Sequence, residues 1–128
     1  MHHLAHLNVA RALAPLESPQ LAGFRRGLGP MNRLAERSPG YVWRLHDDAA
    51  AAATFGEPAD GMFLLNLSLW ESVDALRAYA YTGGHARYLT RRKEWFGAFG
   101  RPHVALWWVP AGHRPTLAEA RQRLDGLH

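Results

Sequence analysis

The 128-residue chain contains no cysteine. It therefore has no disulfide framework, no thiolate nucleophile and no cysteine-ligated metal. It also lacks any apolar run approaching the roughly 20 residues of a membrane-spanning helix. The N-terminus does not have the pattern of a secretory signal, because His6, Asn8 and Arg11 interrupt any apolar stretch. These absences predict a cytoplasmic protein that does not contact a membrane.

Lysine is almost absent as well. Lys93 is the only lysine among 15 basic residues, in a chain with a formal net charge of +4 and a pI of about 10.1. The arginines are spread along the sequence, and only residues 91–93 form a basic run. Nucleic-acid binding needs basic residues clustered on one face. The scattered pattern therefore predicts no nucleic-acid partner.

The composition that remains is typical of one folded domain. Hydrophobic residues make up 48% of the chain and charged residues 20%, which excludes intrinsic disorder. A chain of this length buries roughly two thirds of its unfolded surface, enough for a core without disulfides or metals. We expect a single domain over residues 1–128.

Four segments have the alternation of β-strands. Residues 4–10 place Leu4, His6, Asn8 and Ala10 on one side. Residues 62–70 carry bulky apolar side chains on both sides, and alternation in the segment 41–46 places Tyr41 and Trp43 together. The last predicted strand is 103–109. Residues 47–61 are predicted to be a loop, because this alanine-rich segment contains two glycines and a proline.

Helices are predicted between these strands and after them. Ser18-Pro19 is a strong helix start, with an N-cap serine before proline at the first helical position. Pro30 is expected to kink this first helix or to divide it into two short ones. The other predicted helices follow Ser72, run from about 85 to 99, and follow the capping-box pair Thr116 and Glu119.

This order of elements, β-α-β-β-α-β plus a C-terminal helix, predicts an α+β ferredoxin-like plait. In that fold the helices cover one face of an antiparallel sheet, and the first and third strands are its central neighbours. The third strand is apolar on both faces, so the second face is expected to pack against a second copy of the chain. The prediction is therefore a homodimer, a dimeric α/β barrel.

Asn8 and Asn66 lie in the two predicted central strands, in line with largely apolar positions. A buried amide without a hydrogen-bond partner costs roughly 1–3 kcal/mol. One interpretation is that both amides point into a pocket and orient a polar group of a substrate. The other is that they bond to each other, to loop backbone or to buried water. The sequence leaves both open.

The predicted helix from His85 carries a second candidate group. At 3.6 residues per turn, His85, Arg92 and Trp95 share one broad aromatic face. A neutral imidazole near a helix start suits a general base, a hydrogen-bond donor or a haem ligand. Arg92 suits a carboxylate or an enolate-like anion. The alternative is structural, with Arg92 paired to Glu71 or Glu94 and His85 bonding at the helix start.

Five tryptophans are many for one domain of this size. Most are expected in the core or at a dimer interface, while one or two line a pocket whose aromatic walls favour a planar, largely apolar ligand. No phosphate-binding loop, nucleophile elbow or zinc motif is present. The aromatic candidates for substrate binding are Trp43, Trp70, Tyr79 and Trp95.

Several segments carry a resemblance to a known family. Nearly the whole chain resembles the uncharacterised bacterial domain-of-unknown-function family 3291. The Trp70-Glu71-Ser72 segment with His85 also resembles the wider dimeric α/β-barrel superfamily of antibiotic-biosynthesis monooxygenase-like proteins. The resemblance implies two chemistries, namely cofactor-independent oxygenation of aromatic polyketides and haem binding or degradation. The segments are 8–11, 39–45, 66–76, 92–96 and 106–115.

The resemblance also implies roles for individual residues. Asn8 matches the first-strand asparagine of haem-degrading relatives. Tyr79 and Leu89 stand where those relatives have a tryptophan and a histidine, so the chain departs from the haem-degradation pattern there. His85 falls where the wider superfamily often has its histidine.

The leading hypothesis is a monooxygenase-like enzyme without a tightly bound cofactor, acting on an aromatic or polyketide-type substrate. His85 and Asn8 are its catalytic candidates, and no metal is expected. The alternatives are a non-catalytic binding module with the same pocket, a haem protein with His85 as axial ligand, and a purely structural dimer. The substrate-binding candidates are Asn66, Trp70, Trp43, Tyr79, Arg92 and Trp95.

Overall fold

The computed structural model describes residues 1–45, 48–58, 60–80, 92–97 and 103–127. The strands in these ranges are β1 (His2–Arg11), β2 (Tyr41–Arg44), β3 (Phe63–Trp70) and β4 (Val104–Pro110). The α-helices are α1 (Ala22–Arg37), α2 (Asp48–Thr54), α3 (Val73–Ala80) and α4 (Leu117–Asp125), with short 3-10 helices at Pro19–Leu21 and Arg92–Glu94.

The four strands form one antiparallel sheet in the order β2-β3-β1-β4. This order places β1 and β3 together at the centre and confirms the predicted ferredoxin-like plait. The register sets Asn8 opposite Asn66 on β3 and opposite Val104 on β4. The two asparagines are therefore cross-strand neighbours.

The register also assigns side chains to the two faces of the sheet. Even-numbered residues of β1, β3 and β4 lie opposite one another, and so do odd-numbered ones. Because successive side chains of a strand point to opposite sides, the sheet has an even face, which carries Asn8, and an odd face, which carries Leu7.

The odd face is covered by α2 and α4. Leu7 and Leu67 are 0% exposed, and they belong to one apolar cluster with Ala51 of α2 and with Ala120 and Leu124 of α4. The expectation that helices cover only one face of the sheet is therefore wrong. A dimer that packs through the odd face would have to displace both helices.

Helix α2 corrects a second expectation, because it lies in the segment 47–61 that was predicted to be a loop. Alanine is the best helix former, and its small side chain lets a helix approach a sheet closely. The run Ala49–Ala53 is thus sufficient for two turns, and Ala51 is fully buried against the sheet. The loop is therefore shorter than predicted and follows Thr54, where Gly56, Pro58 and Gly61 stand.

The even face lies beneath α1 and α3. The Trp70 ring stacks on Tyr79 of α3 with ring centroids 5.1 Å apart, and the Tyr79 hydroxyl donates to the Met31 carbonyl of α1 at 3.5 Å. Helix α1 continues through Pro30 without a break. Pro30 is exposed, so water can bond the carbonyl that its missing N–H leaves unpaired.

Residues 92–97 do not form the end of the α-helix that was predicted for 85–99. A 3-10 helix is followed there by a bridge between Phe96 and Ala12, at the end of β1. The Leu13 N–H donates to the Trp95 carbonyl at 2.7 Å, and the Gly97 N–H donates to the Arg11 carbonyl at 3.1 Å. These tertiary hydrogen bonds take backbone groups that an α-helix would have used.

The Glu119 side chain joins α4 to strand β4 of the sheet by a hydrogen bond. Its carboxylate accepts from the Trp107 indole at 3.0 Å and lies 2.7 Å from the His113 imidazole, while the Thr116 hydroxyl caps the Glu119 N–H, as its spacing predicted. Burial raises the pKa of Glu119, but the hydrogen bonds from His113 and Trp107 outweigh it, and the net pKa lies below the ordinary 4.5.

We expect this carboxylate to make stability depend on acidity. A lowered carboxyl pKa stabilises the fold above pH 4.5, and that contribution is lost as the pH falls through the lowered pKa. Glu119→Gln should therefore reduce the free energy of unfolding by about 1 kcal/mol at pH 7 and by much less at pH 3. Urea unfolding at both pH values measures the difference. An equal loss at both values contradicts it.

Candidate functional site

The candidate site is built around Asn8 on the even face. The Oδ1 atom of Asn8 is buried and has no hydrogen-bond partner among the described residues. Its cross-strand neighbour Asn66 is exposed. A buried acceptor without a partner costs roughly 1–3 kcal/mol, and a ligand that donates a hydrogen bond to Oδ1 would remove that cost.

His6 lies two residues from Asn8 on the same face and is half-buried. It stands between Ser68 of β3 and Leu106 of β4. The Ser68 hydroxyl is engaged by the Trp70 indole, which donates to it at 2.9 Å. His6 was not among the sequence candidates, although alternation along β1 had already placed it beside Asn8. The even face therefore carries the His6 imidazole in addition to the amides of Asn8 and Asn66.

Strand β4 contributes an apolar row on the open side of the site. Val104, Leu106 and Trp108 are 40%, 54% and 52% exposed on the even face. They lie directly opposite the even-numbered residues of β1, with Val104 opposite Asn8. This exposed row could not be predicted from the sequence, because a strand with apolar residues on both faces predicts burial of both faces.

Two aromatic clusters lie towards the two ends of β1, on either side of Asn8. Trp95 is 2% exposed and forms a cluster with Leu21 and Ala12, and the Phe24 ring lies 5.6 Å from its own. Trp70 is 1% exposed beneath Tyr79. Trp70 lies on the even face opposite Leu4, and Trp95 packs at Ala12, beyond the other end of β1. Both are buried packing residues, and their part in substrate binding stays a prediction.

Trp43 lies on the other face of the sheet, which corrects its assignment to the pocket. A register irregularity between Tyr41 and Trp43 leaves Tyr41 opposite Trp70 but Trp43 opposite Leu69. Trp43 packs against the odd-face cluster, and the Arg114 guanidinium lies 5.8 Å from its ring centroid. It cannot share a pocket with Asn8.

Tyr79 serves mainly as a packing residue beside the site. Its ring lies on Trp70, and burial raises the pKa of its phenol, while the positive charge of Arg44 partly offsets that effect. The Arg44 guanidinium also lies 3.7 Å from the Glu36 carboxylate of α1. This arrangement keeps the phenol neutral at physiological pH, so it is suited to donating a hydrogen bond.

Two of the predicted site residues are not placed. His85 lies outside the described residues, and the side chain of Arg92 is not described either. In the ranges that are described, no three histidine, aspartate or glutamate side chains come together as metal ligands. No helix in the same ranges is long and apolar enough to cross a membrane.

The sequence as a whole matches one family model. The model, described as a domain of unknown function (DUF3291), covers residues 3–128. The chain belongs to the DUF3291 family. The match confirms the resemblance seen in the sequence. No functionally curated protein matches the chain.

Several solved structures, two of them named as an oxygenase or a monooxygenase, share the fold of this DUF3291 domain. SnoaB from Streptomyces nogalater, a cofactor-independent oxygenase, superposes with a TM-score of 0.55 at 16% identity, over 91% of this chain and 98% of its own. A proposed antibiotic biosynthesis monooxygenase from Nitrosomonas europaea gives 0.56 at 9% identity, over 88% and 91%. Protein SO0527 from Shewanella oneidensis gives 0.61 at 8%, over 84% and 91%. These likenesses show a monooxygenase-like fold.

Proposed function

We propose that this protein is a monooxygenase-like enzyme that acts on an aromatic or polyketide-type small molecule without a tightly bound cofactor. The substrate would bind on the even face, between the sheet and the helices α1 and α3. The observation that carries the proposal is the buried Oδ1 atom of Asn8, which has no partner among the described residues and shares the even face with His6 and the exposed apolar row of β4. SnoaB, which shares the fold, is a cofactor-independent oxygenase.

The arrangement suits a phenolic or enolic substrate. A hydroxyl group of the substrate would donate to Asn8 Oδ1, while the flat ring would lie against the row of Val104, Leu106 and Trp108. Deprotonation of such a ring, with His85 as the proposed base, gives a carbanion that can pass electrons to dioxygen directly. One oxygen atom enters the substrate and the other leaves as water, so the substrate itself is the reductant.

One observation favours a second candidate, a binding module without chemistry. Asn66 is exposed, and the apolar row on β4 is about half exposed, so water reaches the described side of the site. Oxygen chemistry on a carbanion requires exclusion of water. Binding of the same ligand class does not.

Oxygen consumption with 1,8-dihydroxy-9-anthrone as the probe separates the two candidates. An enzyme should accelerate oxygen uptake, and Asn8→Ala should lower that rate about 100-fold, because the substrate hydroxyl loses the acceptor that orients the ring. Tryptophan quenching measures binding separately, and Asn8→Ala should weaken it about tenfold. The control Asn32→Ala, an asparagine of α1, should change neither.

The outcomes are distinct. Binding without oxygen uptake, weakened by Asn8→Ala, favours the binding module. Binding and uptake that are both unchanged in Asn8→Ala would remove Asn8 from the site and contradict the proposal.

A second copy of the chain is also proposed as a partner, because the side chains of Val104, Leu106 and Trp108 on β4 are 40–54% exposed in the monomer.

A further inference from the structure

Arg44 brings a positive charge to the same face of the sheet as Asn8. The register sets Arg44 of β2 opposite Ser68 of β3, and Ser68 opposite His6 of β1. These three residues therefore form one row across the even face, directly beside the row of Asn66 and Asn8. Oxygenation of a neutral phenol or enol does not by itself require this charge.

The Arg44 side chain is 16% exposed, so its guanidinium is largely removed from water. A buried charge is costly unless anions and hydrogen bonds compensate it. The Glu36 carboxylate of α1 lies 3.7 Å from the guanidinium, which is beyond hydrogen-bond range, and the Glu36 side chain is itself 47% exposed. Such an ion pair contributes little. The planar guanidinium of arginine suits a second carboxylate, which it can bind with two parallel hydrogen bonds.

The charge of Arg44 also acts on the aromatic side chains of the even face. The Tyr79 ring lies on Trp70, which is one row along β3 from Ser68. Burial raises the pKa of the Tyr79 phenol, and the positive charge of Arg44 partly offsets this effect. The field of the cation therefore extends over the aromatic part of the face as well as towards α1.

We propose, on the basis of the function given above, that Arg44 selects substrates that carry a carboxylate. The substrate class is then a polycyclic aromatic or polyketide-type acid. Its carboxylate would bind the Arg44 guanidinium, and its phenolic or enolic hydroxyl would donate to Asn8 Oδ1. Arg44 is thus a specificity-determining residue of the site around Asn8.

The spacing of the strands sets the length of such an acid. Arg44 and Asn8 lie two strands and one row apart, so their Cα atoms are separated by roughly 12 Å. The long arginine side chain closes part of this gap, and fused rings over the exposed Asn66 of β3 cover the rest. In the other direction the rings meet Val104 and Leu106 of the exposed row on β4. The hydroxyl therefore lies between an apolar end and an acidic end of the ligand.

An alternative role for Arg44 is purely structural, in which it joins β2 to α1 through Glu36. The two roles differ in the effect of Glu36→Gln. In the structural role, the substitution removes an ion pair and leaves ligand binding unchanged. In the binding role, it removes an anion that competes with the ligand carboxylate, so the acid should bind about threefold more tightly.

Calorimetric titration with two planar probes measures the preference for an acid. The first probe, 6-hydroxy-2-naphthoic acid, carries its hydroxyl and its carboxylate at opposite ends of two fused rings. The second, 6-hydroxy-2-naphthamide, has the same shape without the charge. Wild type should bind the acid at least tenfold more tightly than the amide. Arg44→Gln should bring the two dissociation constants within about twofold of each other, while Arg44→Lys, which keeps the charge but not the planar fork, should retain part of the preference.

Arg37→Gln is the matched control, because it removes the same charge from an exposed arginine in the last turn of α1. It should leave the preference in place. Equal binding of both probes by wild type, a preference that Arg44→Gln retains, or a Glu36→Gln variant that loses stability without binding the acid more tightly overturns the assignment of Arg44. In each of these cases, weaker binding of both probes by Asn8→Ala still supports the site around Asn8. Failure of wild type to bind either probe contradicts both proposals.

Discussion

Replacing Trp70 with alanine is expected to lower the free energy of unfolding by about 3–5 kcal/mol, the range for truncating a buried aromatic side chain. Trp70 is 1% exposed, its indole donates to Ser68 at 2.9 Å, and Tyr79 and Tyr41 pack on its ring. The substitution leaves a cavity between α3 and the sheet and an unpaired Ser68 hydroxyl. Guanidinium unfolding followed by circular dichroism measures the loss.

Trp108→Ala is the matched control for Trp70. Its side chain is 52% exposed on the same face of the sheet, so the monomer should lose no more than about 1 kcal/mol. The two variants should be compared at a submicromolar protein concentration, where association of two copies does not contribute to the measured stability. Equal losses in the two variants would mean that Trp70 is not the packing centre of the even face.

Gly40→Ala should lower the free energy of unfolding by about 3 kcal/mol, more than any other substitution of a glycine in the part of the chain that the structure describes. Gly40 has φ +87°, where an L-residue pays roughly 1–2 kcal/mol. A methyl group there would also overlap Ala75 Cβ of α3, adding about 1–3 kcal/mol of overpacking. The contact is fixed by a hydrogen bond from the Glu71 N–H to the Gly40 carbonyl at 2.8 Å.

Gly61 is the control that separates the backbone strain at positive φ from the overlap with Ala75. It has φ +74°, but a methyl group at this position meets no atom within 4 Å. Gly61→Ala should therefore cost only the backbone part, and the difference between the two variants in thermal or urea unfolding measures the overlap with α3. If Gly40→Ala costs no more than Gly61→Ala, α3 moves freely away from the turn.

Most of the fold could be predicted from local patterns. Alternation identified all four strands within a few residues, and the capping pair Thr116 and Glu119 located the last helix. The errors lie where tertiary contacts prevail over local preference. The alanine run Ala49–Ala53 becomes a helix because it has a surface to pack on, and residues 92–97 follow the backbone of β1.

The site was predictable where the strand was regular and not where it was irregular. Strict alternation along β1 and along β3 predicted which side chains share a side with Asn8 and with Asn66, and the register places the two asparagines opposite each other on one face. Along β2 the same reasoning put Tyr41 and Trp43 together, and the structure separates them. A bulge moves every later side chain to the opposite face, and no residue of this segment signals it.

The sequence by itself determined the class of fold, the DUF3291 family and the face of β1 that carries Asn8. The fold class and the face depend on the two-residue period of strands and on capping, which act between residues close in the chain. The family was identified instead by the resemblance of whole segments, and the family model matches residues 3–128. Only the tertiary structure decided that helices cover both faces of the sheet, that Trp43 lies away from the site, and that the apolar side chains of β4 stay uncovered. The reason is physical: the order and register of strands depend on pairing between distant segments, and a short local pattern fits more than one such pairing.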